Sequence, residues 1–367
     1  MNIFNKRPFL IADIGFNFFD IAQKEGISDI DAAKLMIDEA KSCGVDAVMF
    51  QSYSLKNIIS QNAPAYWDLS DEPIDSQFEL FKKFDKFGRD DFKQLSDYCN
   101  DVGIMFLSTP YDFEAVDYLD EFMDVYAISS SDITNIPFIE YIASKNKPIL
   151  LSTGASTLKE IKDAIDAIEE VSTVDIAILH CVLSHPTFYE DANLLMIKDL
   201  AKNFPDYEIG YSDHTKSDEN MMILTTAYNY GAVILEKHFT LDKTLPGNDH
   251  AHAMDVDDVL KFKDNLNFLS KISGRINKQP LICESATRKE IRRSVVAKKD
   301  IAKGKVIEKS DIAFKRPGTG ISPTDVGDVI GKVATVDILE DTLIDFEMLQ
   351  WCWWCGVFFL NIWPILL

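Results

Sequence analysis

The chain is short of positive charge: 37 Lys and Arg stand against 59 Asp and Glu among 367 residues, a formal net charge of −22. A surface of that sign repels phosphodiester backbones and anionic headgroups, which excludes a nucleic-acid clamp and an anionic-membrane binder. The opening MNIFNKRPFLIADIG has neither the apolar core nor the cleavage site of a signal peptide. The 6 cysteines (Cys43, Cys99, Cys181, Cys283, Cys352, Cys355) are scattered and are read as free thiols of a reducing cytoplasm. Cys352 and Cys355 form a C-x-x-C without a second pair, which is neither a zinc site nor a redox motif. A bilayer span needs about 20 apolar residues, whereas the uncharged stretch WCWWCGVFFLNIWPILL at 351–367 is shorter and broken by Asn361 and Pro364. It is read as an anomalous apolar tail, not as a membrane anchor. A glycine-rich phosphate loop is also missing after the first apolar run, in IADIGFNFF, which counts against an open dinucleotide-binding sheet.

What is present is enough for a large core, with 47% hydrophobic and 26% charged residues. Charge divides the chain: residues 1–286 carry 25 basic and 48 acidic side chains, residues 287–350 carry 12 and 11. Before that boundary, eight short apolar runs read as strands: 9–15, 46–51, 104–109, 124–129, 148–153, 175–181, 207–212 and 232–238. Amphipathic segments lie between them. Ser28 with Asp31 resembles a capping box ahead of Ile30, Ala33, Ile37 and Ala40, and Gly44 is placed to end that helix. Thr157 with Glu160 repeats the device ahead of Leu158, Ile161, Ile165 and Ile168. Continuous apolar strands alternating with such helices call for a parallel sheet covered on both faces, and eight repeats fit an α/β fold of the (β/α)8 TIM-barrel type over 1–270. Residues 271–290 read as a linker. Residues 291–350 mix β-branched runs with Gly and Pro turns, as in a small β-rich domain.

In such a barrel, chemistry sits at the C-terminal ends of the strands. All 6 histidines fall between 180 and 252, and two of them, His214 in YSDHT and His238 in LEKHFT, end the seventh and eighth runs. Neighbouring neutral imidazoles leave coordination positions open for a divalent ion and substrate oxygens. Asp213, Glu236 and Asp249 are close enough in sequence to orient the imidazoles. Ser108 and Thr109, Ser129 to Ser131, and Ser152 to Gly154 end other strands and could offer donors to an anion.

Together the segments IADIGFN, DAVMFQS, SQFELFKK, FLSTPYD, LSTGAST, LHCVLSHPTFYED, GYSDHT and LEKHFTLDKTLPGNDH, followed by RRSVVAKKDI and KRPGTGISP, resemble the sialic acid synthase family from about residue 8 to 348. The resemblance implies a TIM barrel followed by an antifreeze-like (SAF) domain over 291–350, in a domain-swapped homodimer. It implies condensation of phosphoenolpyruvate with an N-acetylated amino-sugar aldehyde, giving a nonulosonic acid and phosphate for surface glycans. His214 and His238 would then hold manganese or magnesium. Asp132 and Asp13 take the places of the family's catalytic carboxylates. Ser130 and Ser212 resemble phosphate or carboxylate contacts, Gln51 and Asp249 sugar-hydroxyl contacts, and Arg316 an arginine that reaches the partner subunit's barrel.

Departures from the family pattern fall on anion binding. Met49 and Ala127 stand where lysines are usual, Leu183 where a polar group is usual and His185, a substrate contact by position, where tyrosine is common. Asp13 and Phe18 replace glutamate and histidine. An anion would have to be held by the serines, by backbone N–H groups and by lysines such as Lys56 or Lys237. A metal-dependent sugar aldolase or isomerase in the same barrel, or a catalytically silent member, are the alternatives.

Overall fold

The computed structural model describes residues 8–67, 69, 73–247 and 249–351; the apolar tail beyond Trp351, with Cys352 and Cys355, lies outside them. The chain forms two compact units, Met1–Ser273 and Gly274–Leu367.

In the first unit, eight parallel strands are joined in the order β3-β2-β1-β8-β7-β6-β5-β4. They are β1 (Phe9–Gly15), β2 (Ala47–Ser52), β3 (Met105–Pro110), β4 (Tyr126–Ile128), β5 (Ile149–Ser152), β6 (Ile176–Cys181), β7 (Glu208–Asp213) and β8 (Ile234–His238). The end strands β3 and β4 lie side by side and close the ring. All eight apolar runs became strands.

Helices occupy each crossover, as parallel strands require. Between β1 and β2 lie α1 (Asn17–Glu25) and α2 (Asp29–Cys43), and between β2 and β3 lie α3 (Leu55–Ile58), α4 (Gln77–Phe81) and α5 (Arg89–Val102). Single helices follow: α6 (Phe113–Leu119), α7 (Ile136–Ala143), α8 (Leu158–Val171), α9 (Met196–Asn203) and α10 (Met222–Asn229), with α11 (Val256–Ser273) after β8. Both capping devices are present. Ser28 accepts from the Asp31 N–H at the start of α2, and Gly44 ends it at φ 83; Thr157 and Glu160 cap α8 reciprocally.

Alternation along each strand divides the apolar residues into two cores. Phe9, Ile11, Met49, Leu107, Ala127, Leu150, Leu179 and Ile234 fill the barrel interior. Their sequence neighbours Leu10, Ala12, Val48, Phe106, Ile128, Leu151, Ile178 and Leu235 pack outward under the helices. The parity continues to the strand ends, so a residue's face there follows from an even or odd step from a core residue.

The second unit begins in the segment expected to be a linker. Its residues 274–291 are exposed, and they include α12 (Ser285–Ile291). Beyond it, β9 (Ser294–Ala297) pairs antiparallel with β10 (Ile312–Lys315), and β11 (Val333–Ala334) with β12 (Leu349–Gln350). A separate core of Val295, Ile301, Ile307, Val329, Ile338 and Ile344 holds these short pieces together. Among the described residues no helix is long and apolar enough to cross a membrane.

Candidate active site

Interior parity delivers Asp13, Gln51, Thr109, Ser152, Cys181, Ser212, Glu236 and His238 to the C-terminal mouth of the barrel, where they line a cavity of about 1200 Å³. That is larger than a typical single-ligand pocket and has room for two small reactants. Ser129 to Asp132, in the turn after β4, and His214, just past β7, complete the polar lining. Phe16, Tyr66, Trp67, Phe84, Phe188 and Tyr189 form an aromatic wall.

Imidazoles gather on one arc of the mouth. The ring centroids of His214 and His238 are 5.6 Å apart, and His185 lies 4.0 Å from His214. Ligand nitrogens of His185, His214 and His238 all come within 4.8 Å of one another, and so do those of His238 and His252 with an oxygen of Asp249. His214 donates from Nδ1 to the Val182 carbonyl at 2.8 Å, which turns Nε2 toward the cavity. Nδ1 of His238 and both ring nitrogens of His252 are buried without a hydrogen-bond partner. Burial and the neighbouring imidazoles push His238 well below the ordinary histidine range, and burial pushes His185 down to about 4. Ring nitrogens with spare lone pairs, as on His238 and His252, are what a metal ligand needs, and the clustered imidazoles fit a divalent ion.

Burial opposes a charge on His214, yet Cys181 Sγ at 3.6 Å, the Val182 carbonyl and Glu236 raise it to about 9. Asp13 is 6% exposed, and its Oδ1 has no partner. Burial first, then Glu236 and Asp249, raise its carboxyl well above the usual range. Burial likewise raises Glu236, which accepts from Ser212 Oγ at 2.7 Å. Asp132 is raised by burial against hydrogen bonds from Asn135 and Ser131.

Several sequence expectations are corrected here. Lys237 is not an anion ligand: it sits at outward parity, wholly buried, with Nζ 2.8 Å from Asp213 Oδ2 and a further bond to the Thr215 carbonyl. Asp213 therefore does not orient an imidazole; it also accepts from Tyr211 and Thr215. The carbonyl of Val182 does that work for His214. Ser108 points outward and bonds Ser52 Oγ at 2.6 Å. Thr153 bonds the Leu179 carbonyl, and the Gly154 N–H is spent on Ser130 Oγ, so neither is free for an anion. Lys56 is exposed and outside the cavity lining. Among the described lining residues the lone lysine or arginine is Lys216, against Asp13, Asp20, Asp132, Glu190, Glu236 and Asp249.

The structure brings Asp13, Gln51, Ser130, Asp132, His185, Ser212, His214, His238 and Asp249 to one cavity. Arg316 is in the second unit, exposed beyond β10. Sequence reading overlooked His252, which stands two residues from His250. That neighbour is engaged elsewhere, by Thr240 at 2.7 Å and Asp20 at 3.2 Å. It also overlooked Cys181, whose inward parity could have been counted from Leu179, and Lys216.

A closed eight-stranded barrel with a metal-competent mouth, followed by a small β-rich unit, is the architecture that the sequence motifs implied. Residues 36–278 match the NeuB family and residues 292–350 the SAF domain, and the chain belongs to the NeuB family. It is 37% identical over 340 residues to an uncharacterized protein of Methanocaldococcus jannaschii, covering 92% of this chain and 94% of that one. It is 32% identical to the N,N'-diacetyllegionaminic acid synthase of Legionella pneumophila, covering 93% and 94%. The crystal structure of the N-acetylneuraminic acid synthetase of Leptospira borgpetersenii superposes with TM-score 0.64 at 29% identity, over 77% of this chain and 90% of that one.

Proposed function

We propose that the protein is a nonulosonic acid synthase, condensing phosphoenolpyruvate with an N-acetylated amino-sugar aldehyde and releasing phosphate. The observation that carries this reading is the convergence of His214 and His238 with Asp13 and Glu236 over a two-reactant cavity, in a chain whose relatives include such synthases. His214 and His238 would hold a divalent ion, whose Lewis acidity would serve to polarise the aldehyde carbonyl. In balance, the methylene carbon of phosphoenolpyruvate bonds to the aldehyde carbon, water adds at the adjacent carbon that carries the phosphate ester and gives up one proton to the carboxyl that protonated the aldehyde oxygen, and the bond from that carbon to the phosphate oxygen breaks. Asp13, whose carboxyl is raised by burial and by Glu236 and Asp249 and whose Oδ1 has no hydrogen-bond partner, is placed to act as the acid toward the developing hydroxyl. Gln51 and Asp249 face sugar hydroxyls, and the aromatic wall takes the apolar face of the N-acetyl group. Ser129 to Ser131, Ser152 and Lys216 offer donors to the phosphate and carboxylate. A homodimer belongs to the same proposal, and sedimentation at twice the chain mass would support it.

The test is phosphate release from phosphoenolpyruvate by the purified chain with a divalent ion and a panel of N-acetylated hexosamines and diamino sugars. Release in step with sugar consumption is expected; none across the panel overturns the reading. One observation favours a second reading. With a single lysine among six carboxylates, the cavity suits a neutral partner better than a trianion, as in metal-assisted aldol cleavage or isomerisation of a sugar. That reading requires turnover of a sugar with no phosphoenolpyruvate present.

A further inference from the structure

Two imidazoles suffice for an ion that keeps most of its coordination positions for water and substrate, but a third stands beside them. His185 lies on the loop after β6, and that loop is fastened to His214 on both sides. The Val182 carbonyl accepts from His214 Nδ1 at 2.8 Å, and the Thr187 N–H donates to the His214 carbonyl at 2.9 Å. Thr187 Oγ1 closes the turn onto the Ser184 carbonyl at 2.7 Å. Between these anchors the His185 ring is set 4.0 Å from that of His214, and its ring neighbours are the imidazoles of His214, His238 and His252. It makes no hydrogen bond to a described residue, although it lines the cavity together with His214 and His238. A side chain carried on a loop anchored on both sides, with its nitrogens unspent and two other imidazole nitrogens within 4.8 Å, is placed as a ligand.

We propose that His185 is a third protein ligand beside His214 and His238, so that this chain takes a nitrogen-preferring divalent ion, zinc or cobalt, in preference to magnesium or manganese. The inference rests on the reading that His214 and His238 hold an ion. Three imidazoles whose nitrogens lie within 4.8 Å of one another, with an open fourth position, match zinc-type catalytic sites, whereas magnesium and manganese prefer oxygen donors. The second triad, His238 with Asp249 and His252, shares one ligand with the first. Because His252 is fully buried and absent from the cavity lining, an ion there would lack the open side that a substrate needs.

Cobalt substitution of the chelator-stripped full chain tests this without any assay of turnover. One cobalt ion per chain is expected, with the intense visible absorption of four- or five-coordinate nitrogen ligation, displaced by zinc and resistant to a large excess of magnesium. His185→Gln and His185→Tyr should convert it to the weak absorption of a six-coordinate ion and lower cobalt affinity by at least about tenfold, with unchanged melting temperature of the stripped proteins. Weak absorption in the parent, unaltered by either substitution, overturns the third-ligand assignment. In that case loss of cobalt in His214→Gln would leave the two-imidazole site standing. Sensitivity to His252→Gln in place of His185→Gln moves the ion to the other triad and also overturns it. Absence of cobalt binding in the parent overturns the ion reading itself.

Discussion

At the scale of single residues, function here is a matter of parity. Lys237 and His238 are adjacent in sequence, yet one is locked under the helices and the other looks into the mouth. Leaving Asp213 buried without its ammonium is costly, so Lys237→Met should destabilise the barrel by about 3–5 kcal/mol, read as a lowered denaturant midpoint. Lys237→Met combined with Asp213→Asn, which removes the unpaired charge and keeps an acceptor for Tyr211 and Thr215, should recover part of that loss. Met49 and Ala127 have inward parity below Gln51 and Ser129, so lysines there would project into the cavity floor. The double substitution Met49→Lys with Ala127→Lys is expected to raise affinity for phosphoenolpyruvate by about tenfold or more, through new charge-assisted contacts, measured by calorimetry. The histidine pair, the serine run and the missing lysines were all legible in the sequence. The partners of Asp213 and the looped approach of His185 were not, because hydrogen bonds across 24 or 32 residues leave no local pattern.

At the scale of elements, the devices that could be read were those whose physics is local. Capping boxes, apolar runs and terminal glycines act within a few residues, and α2 and α8 follow them. Gly44 stands at φ 83, a left-handed conformation that residues with a Cβ rarely adopt. Gly44→Ala should therefore cost about 1 kcal/mol or more, visible as a lower melting temperature. In the second unit Asp311 has no exposed surface. Burial would raise its carboxyl, but Lys305, the Glu308 N–H and Lys299 outweigh burial and hold it below the usual carboxylate range. A depressed carboxyl lends stability that is present above its unfolded value, about 3.9, and disappears as pH falls through the folded value. Calorimetry from about pH 5 to about pH 2 should show the parent losing stability over that window, with Asp311→Asn flatter. Helix α12 escaped the sequence reading because it is short and exposed, with no apolar face to give it a period.

At the scale of the whole molecule, the charge balance of the sequence changes near residue 286. The units separate at Ser273 and Gly274, and Arg275 and Lys278 lie on an exposed, irregular stretch. Brief trypsin treatment should cut there first and leave a barrel-sized fragment of roughly three quarters of the chain, identified by mass; early cleavage inside the barrel helices would contradict this. The tally of strands and their parallel order followed from repetition of one simple motif. The cavity's electrostatic character did not, because it depends on which charged residues turn inward and which are spent on the opposite wall.

Nitrogen donors and hydroxyl donors occupy different sectors of the rim: the former come with β6 to β8, the latter mostly with the turns after β4 and β5. Substitutions in one sector can therefore change what it binds while the other keeps its nitrogen donors unchanged. Apolar Met49 and Ala127 in the cavity lining, beside the imidazoles of His214 and His238, are the pattern that such piecemeal retuning would leave in a single chain.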